Sequence, residues 1–306
     1  MTRLVAILAA LALVGLGLFW WITRPHSLPI AQAAALESGG DAARGEVIFH
    51  AGGCASCHMT PGQPDRTKLG GGLALKTEFG TFIAPNISSH KSDGIGAWSV
   101  ADLANAMQYG VSPKGEHYYP AFPYTTYVHA RLDDIRDLMV YLRSLPAVAG
   151  KAADHDLGFP FSVRRFVGVW KTLFLDTQPL TPDPTKSDSW NRGRYLADAL
   201  GHCAECHSPR NFLGGIVQAQ RYAGGPDPEG RGWIPNITAK GLGSWSKADV
   251  SDLLASGFTP EFDSVGSTMA DVVKNMAALP KSDRDAMAEY LKSLPAVDGP
   301  PKPQKK

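Results

Sequence analysis

Every residue from Leu4 to Ile22 is apolar or glycine, and the run closes on Trp20-Trp21 before the next charge, Arg24. About 19 such residues in a helix are enough to cross the hydrocarbon core of a bilayer. Tryptophans at its end suit the aromatic belt of a membrane–water interface. The pattern predicts an N-terminal transmembrane helix within an anchor segment, residues 1–35. Arg3 and Arg24 flank the run and do not orient it by charge. A cleaved signal peptide ending at Ala31-Gln32-Ala33 is the rival reading, but the apolar core is long for one and that site lies well past it. We read an uncleaved anchor.

Beyond the anchor, apolar positions recur at helical spacing in short segments separated by Gly- and Pro-rich loops, such as Gly70-Gly71-Gly72 and Ala223 to Pro228. Asp41 and Ser189 are placed to cap helices. Ser99-Val-Ala-Asp102 and Ser246-Lys-Ala-Asp249 resemble capping boxes with Asp for Glu. The helices they start should stop at Gly110 and Gly257, which accept a left-handed backbone. Final helices are predicted from about Asp133 to Leu145 and from about Ser282 to Leu294, with Pro146 and Pro295 preventing extension. No strand pair is expected.

These features come twice and in the same order. Arg44-Gly45 corresponds to Arg192-Gly193, Ala84-Pro85-Asn86-Ile87 to Ile234-Pro235-Asn236-Ile237, and Gly96-Ala97-Trp98-Ser99 to Gly243-Ser244-Trp245-Ser246. Tyr141-Leu142-Arg143-Ser144-Leu145-Pro146-Ala147-Val148 returns almost unchanged from Tyr290 to Val297. Internal duplication divides the chain into residues 36–149 and 188–306. The segment between them, residues 150–187, belongs to neither. Within it Phe166, Val169, Trp170, Leu173 and Phe174 form a helical stripe, either packed against its own domains or offered to a partner subunit or the membrane interface. The tail from Lys302 to Lys306 reads as solvated and disordered.

Composition adds chiefly the cysteines. The net charge of +1 gives no electrostatic case for nucleic acid. All 4 cysteines fall in Cys54-Ala-Ser-Cys57-His58 and Cys203-Ala-Glu-Cys206-His207, one motif in each repeat. From this composition a single such motif is expected in about one chain in a thousand. Cysteines three apart lie on one side of a helical turn. Both can join the vinyl groups of one haem as thioethers while the adjacent His reaches the iron. A redox Cys pair has no need of the His, and a zinc site wants its ligands grouped together. The reading is two covalently bound haem c groups, attached in bacteria outside the cytoplasmic membrane.

His58 and His207 are therefore the expected proximal ligands, with the Pro85 and Pro235 carbonyls as candidate acceptors for their second ring nitrogens. For the second haem, Met269 lies on the stretch between Gly257 and the last helix, and its thioether suits haem iron. Met276 reads as core. The equivalent place in the first repeat, near Pro120 to Phe122, has no methionine. His117 or His129, on either side, would give a bis-histidine haem, and an open first haem is the third reading. Met107, inside a predicted helix, reads as core.

Several further stretches carry a resemblance: Gly94-Ile95-Gly96, Tyr119-Pro120-Ala121-Phe122-Pro123-Tyr124, Phe159-Pro160-Phe161-Ser162-Val163-Arg164, Trp190-Asn191-Arg192-Gly193-Arg194-Tyr195-Leu196, and Gly201-His202-Cys203 through Pro209-Arg210-Asn211. From about residue 40 to 297 the chain resembles the cytochrome c subunits of bacterial membrane-bound alcohol and gluconate dehydrogenases. Members commonly carry three haems where this sequence has two modules, and many have Met where this chain has Phe122. The resemblance implies an all-α architecture, with two tandem class I cytochrome c domains behind the transmembrane helix. It also implies a periplasmic dehydrogenase as electron donor, and a quinone, cytochrome or terminal oxidase as acceptor, at the cytoplasmic membrane. The expected role is electron transfer, without substrate chemistry of its own. The alternative is a dihaem oxidoreductase of the peroxidase or thiosulfate-oxidising type, using an open first haem.

Overall fold

The computed structural model describes residues 2–230 and 232–302, so most of the tail read as disordered lies outside the described residues. Helix α1 (Thr2–Ile22) is the one helix among these residues long and apolar enough to cross a membrane. A short α2 (Ile30–Ala35) leads to α3 (Ala42–Ala51) and α4 (Cys54–His58). Then come α5 (Val100–Tyr109), α6 (Tyr124–Tyr127), α7 (Leu132–Ser144) and α8 (Phe166–Phe174). The remaining helices are α9 (Asp188–Tyr195), α10 (Cys203–His207), α11 (Ala239–Leu242), α12 (Lys247–Ser256), α13 (Thr268–Ala277) and α14 (Lys281–Lys292).

Local signals placed most of these ends. The Asp41 carboxylate accepts from the Arg44 amide at the start of α3, and both Ser-x-x-Asp capping boxes close. Helices α5 and α12 stop at Gly110 (φ 58°) and Gly257 (φ 78°). Two expectations need correction. The cap of α9 is Ser187, whose hydroxyl accepts from the Trp190 amide, and not Ser189. Two short antiparallel hairpins are present, β1 (Ala74–Thr77) with β2 (Gly80–Ile83) and β3 (Gly225–Pro226) with β4 (Trp233–Ile234). They brace the loops that follow each Cys motif, and strands of two to four residues are too short to show alternation.

The core is built on two helix crossings, α3 on α7 and α9 on α14. Each depends on a glycine. A Cβ on Gly45 would stand 2.1 Å from the Asp137 carbonyl oxygen, and one on Gly193 1.9 Å from that of Ala286. The Gly-to-Cys spacing is nine residues in the first repeat and ten in the second. A π-helical turn, Leu196–Leu200, absorbs the extra residue, closed by the Gly201 amide donating to Leu196 O at 2.6 Å. A π-turn is the usual way a helix takes up a one-residue insertion.

The C-terminal end of α1 is held by residues far along the chain. Its last carbonyls lack intrahelical donors. Arg165 donates to Trp20 O at 2.6 Å and to Thr23 Oγ1 at 2.7 Å, and its guanidinium lies 3.9 Å from the Trp20 ring centre. His117 Nε2 donates to Thr23 O at 2.9 Å. His117 Nδ1 accepts from Lys171 Nζ at 3.1 Å, and that ammonium also donates to Tyr109 O and Gly110 O at 2.6 and 2.7 Å. Burial pushes the Lys171 ammonium down to about 7. All three of its N–H groups are used, so Lys171→Ala leaves Tyr109 O and His117 Nδ1 without that donor, while Gly110 O keeps the Tyr118 amide at 2.7 Å. We expect it to cost about 2–3 kcal/mol and to open the 150–187 segment to protease, read by thermal unfolding and limited proteolysis. An unchanged midpoint with unchanged digestion would refute this role.

Candidate haem site

Each Cys motif folds as a five-residue helix entered through a left-handed residue, Gly53 (φ 64°) before Cys54 and His202 (φ 42°) before Cys203. His58 Nδ1 donates to Pro85 O and His207 Nδ1 to Pro235 O, both at 2.8 Å, the two carbonyls offered as candidates from the sequence. This fixes each ring and leaves Nε2 as the nitrogen able to bind iron. The main-chain carbonyls of the same histidines accept from Gly71 N and Gly224 N, also at 2.8 Å. Gly71 must be glycine here, because a Cβ would fall 2.4 Å from the Pro85 carbonyl carbon. Asn86 and Asn236 donate to Val148 O and Val297 O at 2.8 Å, tying each proline loop to the end of its repeat.

Cys54, Cys57 and His58 line a cavity of about 1680 Å³ whose nearby wall includes Ile95, Trp98, Leu103, Met107 and Leu138. Ordinary ligand pockets run from roughly 300 to 1,000 Å³. A large, flat, apolar group therefore has room beside two thiols and an imidazole, and the donor set and wall suit haem c. Burial pushes Cys54 up to about 12 and Cys57 to about 11, with Cys203 and Cys206 displaced alike. A redox pair needs the opposite shift. Burial also lowers His58 and His207, favouring the neutral imidazole that coordinates metal.

The two motifs meet at one junction. Cys57, Cys206 and His202 all line the cavity. Asn275 from α13 donates to Ser56 Oγ at 2.7 Å and accepts from Arg66 at 2.9 Å. Glu205, inside the second motif, accepts from Thr125 Oγ1 at 2.6 Å and from Arg210 at 2.7 Å. Tyr127 donates to Gly52 O at 2.7 Å and meets the His202 ring edge-on at 5.9 Å. No motif in the sequence marked His202, Glu205 or Asn275 as joining the repeats, because the contacts that recruit them are 75 to 219 residues apart.

Comparison with known proteins agrees with this geometry. A family model described as Cytochrome c matches residues 42–146. A diheme cytochrome c-type protein of Cereibacter sphaeroides is 47% identical over 94% of this chain and 97% of its own length. The chain belongs to the cytochrome c family. This cytochrome is also 36% identical over 83% of its length to the fructose dehydrogenase cytochrome subunit of Gluconobacter japonicus, of which it spans 52%. It is 34% identical over 83% of its length to the gluconate 2-dehydrogenase cytochrome c subunit of Pantoea cypripedii, of which it spans 60%. Cytochrome c subunits of alcohol dehydrogenases are relatives too, as the sequence resemblance implied. This cytochrome binds haem c covalently and transfers electrons.

The sixth-ligand candidates fall differently from the sequence expectations. Met269 sits in the first turn of α13 rather than on a loop, half-buried against the core, while Thr268, Asp271 and Val272 of the same turns line the cavity. His117 spends both ring nitrogens on Thr23 and Lys171 and is not on the cavity wall. His129 is not on that wall either, and its Nδ1 is buried without a partner. Phe122 is on the wall, packed against the Tyr118 and Tyr127 rings at 6.1 and 5.7 Å. Met107, read from sequence as core, is buried but lines the cavity with Leu103, four residues earlier on the same face of α5. That spacing was the one signal that could have found it.

Proposed function

We propose that this cytochrome is a membrane-held relay of two tandem class I haem domains, residues 36–149 and 188–306, behind an uncleaved N-terminal anchor. Cys54, Cys57 and His58 hold one haem c, and Cys203, Cys206 and His207 the other. The observation that carries the reading is the shared junction, where both attachment helices border one cavity. Bound haem supplies a one-electron couple. The chain orients each imidazole through a proline carbonyl, keeps the two sites close through Asn275 and Glu205, and surrounds them with apolar walls. A periplasmic dehydrogenase is the donor and a quinone, cytochrome or terminal oxidase the acceptor, in keeping with relatives named as dehydrogenase cytochrome subunits. The matched loops, caps and helix crossings of the two repeats support the tandem arrangement, and the docked end of α1 supports a retained anchor.

Met269 would supply the sixth ligand of the second haem; it is not itself on the cavity wall, but Thr268, Asp271 and Val272 of the same turns are. For the first we favour Met107 over His117 or His129, since it alone of the three is on the cavity wall. Near-infrared magnetic circular dichroism of the oxidised protein should show two methionine-ligated low-spin irons. Met107→Ala should convert one of them to a high-spin or cyanide-binding form, while His117→Ala and His129→Ala leave the ligation unchanged. A cyanide-sensitive high-spin iron already present in the unaltered protein would instead favour the dihaem oxidoreductase reading. A bis-histidine signal would return the assignment to His117 or His129.

A further inference from the structure

The two attachment helices match in backbone but not in charge. The third residue of each motif, Ser56 in α4 and Glu205 in α10, occupies the same place between its two cysteines. Each reaches into the other repeat. Ser56 Oγ accepts from Asn275 Nδ2 of α13 at 2.7 Å. Glu205 Oε1 accepts from Thr125 Oγ1 and Thr126 Oγ1 of α6 at 2.6 and 3.2 Å. Helices α6 and α13 stand at matching points, each just before the closing helix of its repeat. The bonds are therefore reciprocal, but the groups that accept them differ. A neutral hydroxyl stands in the first attachment site and a carboxylate in the second.

That carboxylate is held as an anion. Its other oxygen accepts from Arg210 at 2.7 Å, so all three side-chain partners donate to it. Burial by itself raises the Glu205 carboxyl, but Arg210 and Thr125 outweigh it and hold the group below its usual value. The Arg210 cation offsets the charge only in part. Its side chain is 26% exposed against 12% for Glu205, and charge nearer water is more strongly screened. Chain connectivity also keeps Glu205 close, next to Cys206 and two residues from His207, and it borders the cavity. An anion in such a partly dry site favours ferric over ferrous haem by Coulomb attraction, which lowers the reduction potential. We propose that Glu205 sets the second haem to a lower potential than the first, so that electrons enter at the second repeat and pass to the first. The first repeat is the one that holds the end of α1, through His117 and Thr23 O, so the exit lies on the anchor side. The proposal rests on each motif holding its own haem.

The test is a potentiometric titration of the full chain, read from haem absorbance, once pyridine haemochrome has counted two haems. Glu205→Gln should raise the lower midpoint and leave the upper one in place. The expected change is roughly tenfold in that haem's reduction equilibrium, about 59 mV for a one-electron couple. Ser56→Glu, which puts a carboxylate in the first motif, should lower the upper midpoint by a similar factor. Ser56→Ala, which removes a cross-repeat bond without changing charge, should move neither. With both haems bound, unmoved midpoints in Glu205→Gln, or movement of the upper one alone, would overturn the proposal. If Glu205→Gln does not load both haems, Ser56→Glu decides alone, and an unmoved upper midpoint there rejects the proposal. Fewer than two haems in the unaltered chain would instead overturn the two-site reading beneath it.

Discussion

Replacing Cys54 and Cys57 together by serine should halve the haem content of the chain, from two groups to one, while the second motif keeps its own. The two cysteines and His58 form one attachment unit on a five-residue helix, and nothing in the second motif can take their place. On the proposed assignment, haem would occupy part of the cavity of about 1680 Å³ that Cys54, Cys57 and His58 line. Its loss there leaves apolar walls without partners, and cavities of this kind cost stability roughly in proportion to their size. The doubly substituted chain should therefore show one haem per polypeptide by pyridine haemochrome and iron analysis, and unfold at a lower temperature in its first domain. The mirror pair, Cys203→Ser with Cys206→Ser, should do the same to the second. Two haems retained in either variant would sink the two-site assignment.

The second large effect concerns the crossings that hold each motif helix in place. Gly45→Val inserts a branched side chain where even a Cβ would lie 2.1 Å from the Asp137 carbonyl and 2.8 Å from Tyr141 Cβ. Backbone cannot yield as a flexible side chain does, so α3 must move away from α7. That movement strains the bonds from Arg44 Nε and the Asp41 amide to the buried Asp137 carboxylate, at 2.7 and 2.8 Å. Overpacking alone costs about 1–3 kcal/mol, and with the lost bonds we expect about 3 kcal/mol or more. For a domain of this size that lowers the melting temperature by roughly 10–20 °C. Gly193→Val should act alike on α9 and α14. Gly158→Ala, with nothing within 4 Å of the added Cβ, is the control and should change stability by less than about 0.5 kcal/mol. Circular dichroism melts of the three variants check this, and a melt of Gly45→Val matching the control would reject the close-approach argument.

Much of this protein is written in short-range pattern. The Cys-x-x-Cys-His spacing, the Asp41, Ser99 and Ser246 caps and the Gly110 and Gly257 stops all act within one or two helical turns. A reader of the sequence needs no fold to find them. The apolar run of α1 is legible for the same reason, while the Pro85 and Pro235 carbonyls were only candidates in sequence, since such prolines can equally just shape a loop, and the fold shows them accepting. The errors share a cause as well. Ser187 and Ser189 are two residues apart, and only the direction of the chain entering α9 selects the first as the cap. The second hairpin has no side-chain alternation to read, because β3 is only Gly225–Pro226, and the four-residue strands of the first are too short to stand out.

What the tertiary structure decided is where side chains point once elements from distant parts of the chain meet. His117 has the right chemistry for an iron ligand, yet the end of α1 and Lys171 claim both its nitrogens. Met107 looks like one more core residue until α5 turns it onto the cavity wall. The meeting of the two motifs through Asn275, Glu205 and His202 has no local signature, since each contact spans a gap that sequence spacing does not constrain. The sequence by itself determined that this chain is a haem c protein, and its two Cys-x-x-Cys-His motifs are where we propose attachment. The distance between the attachment sites, the walls around them and the face turned outward depend on packing between elements far apart in the chain, which short-range pattern does not encode.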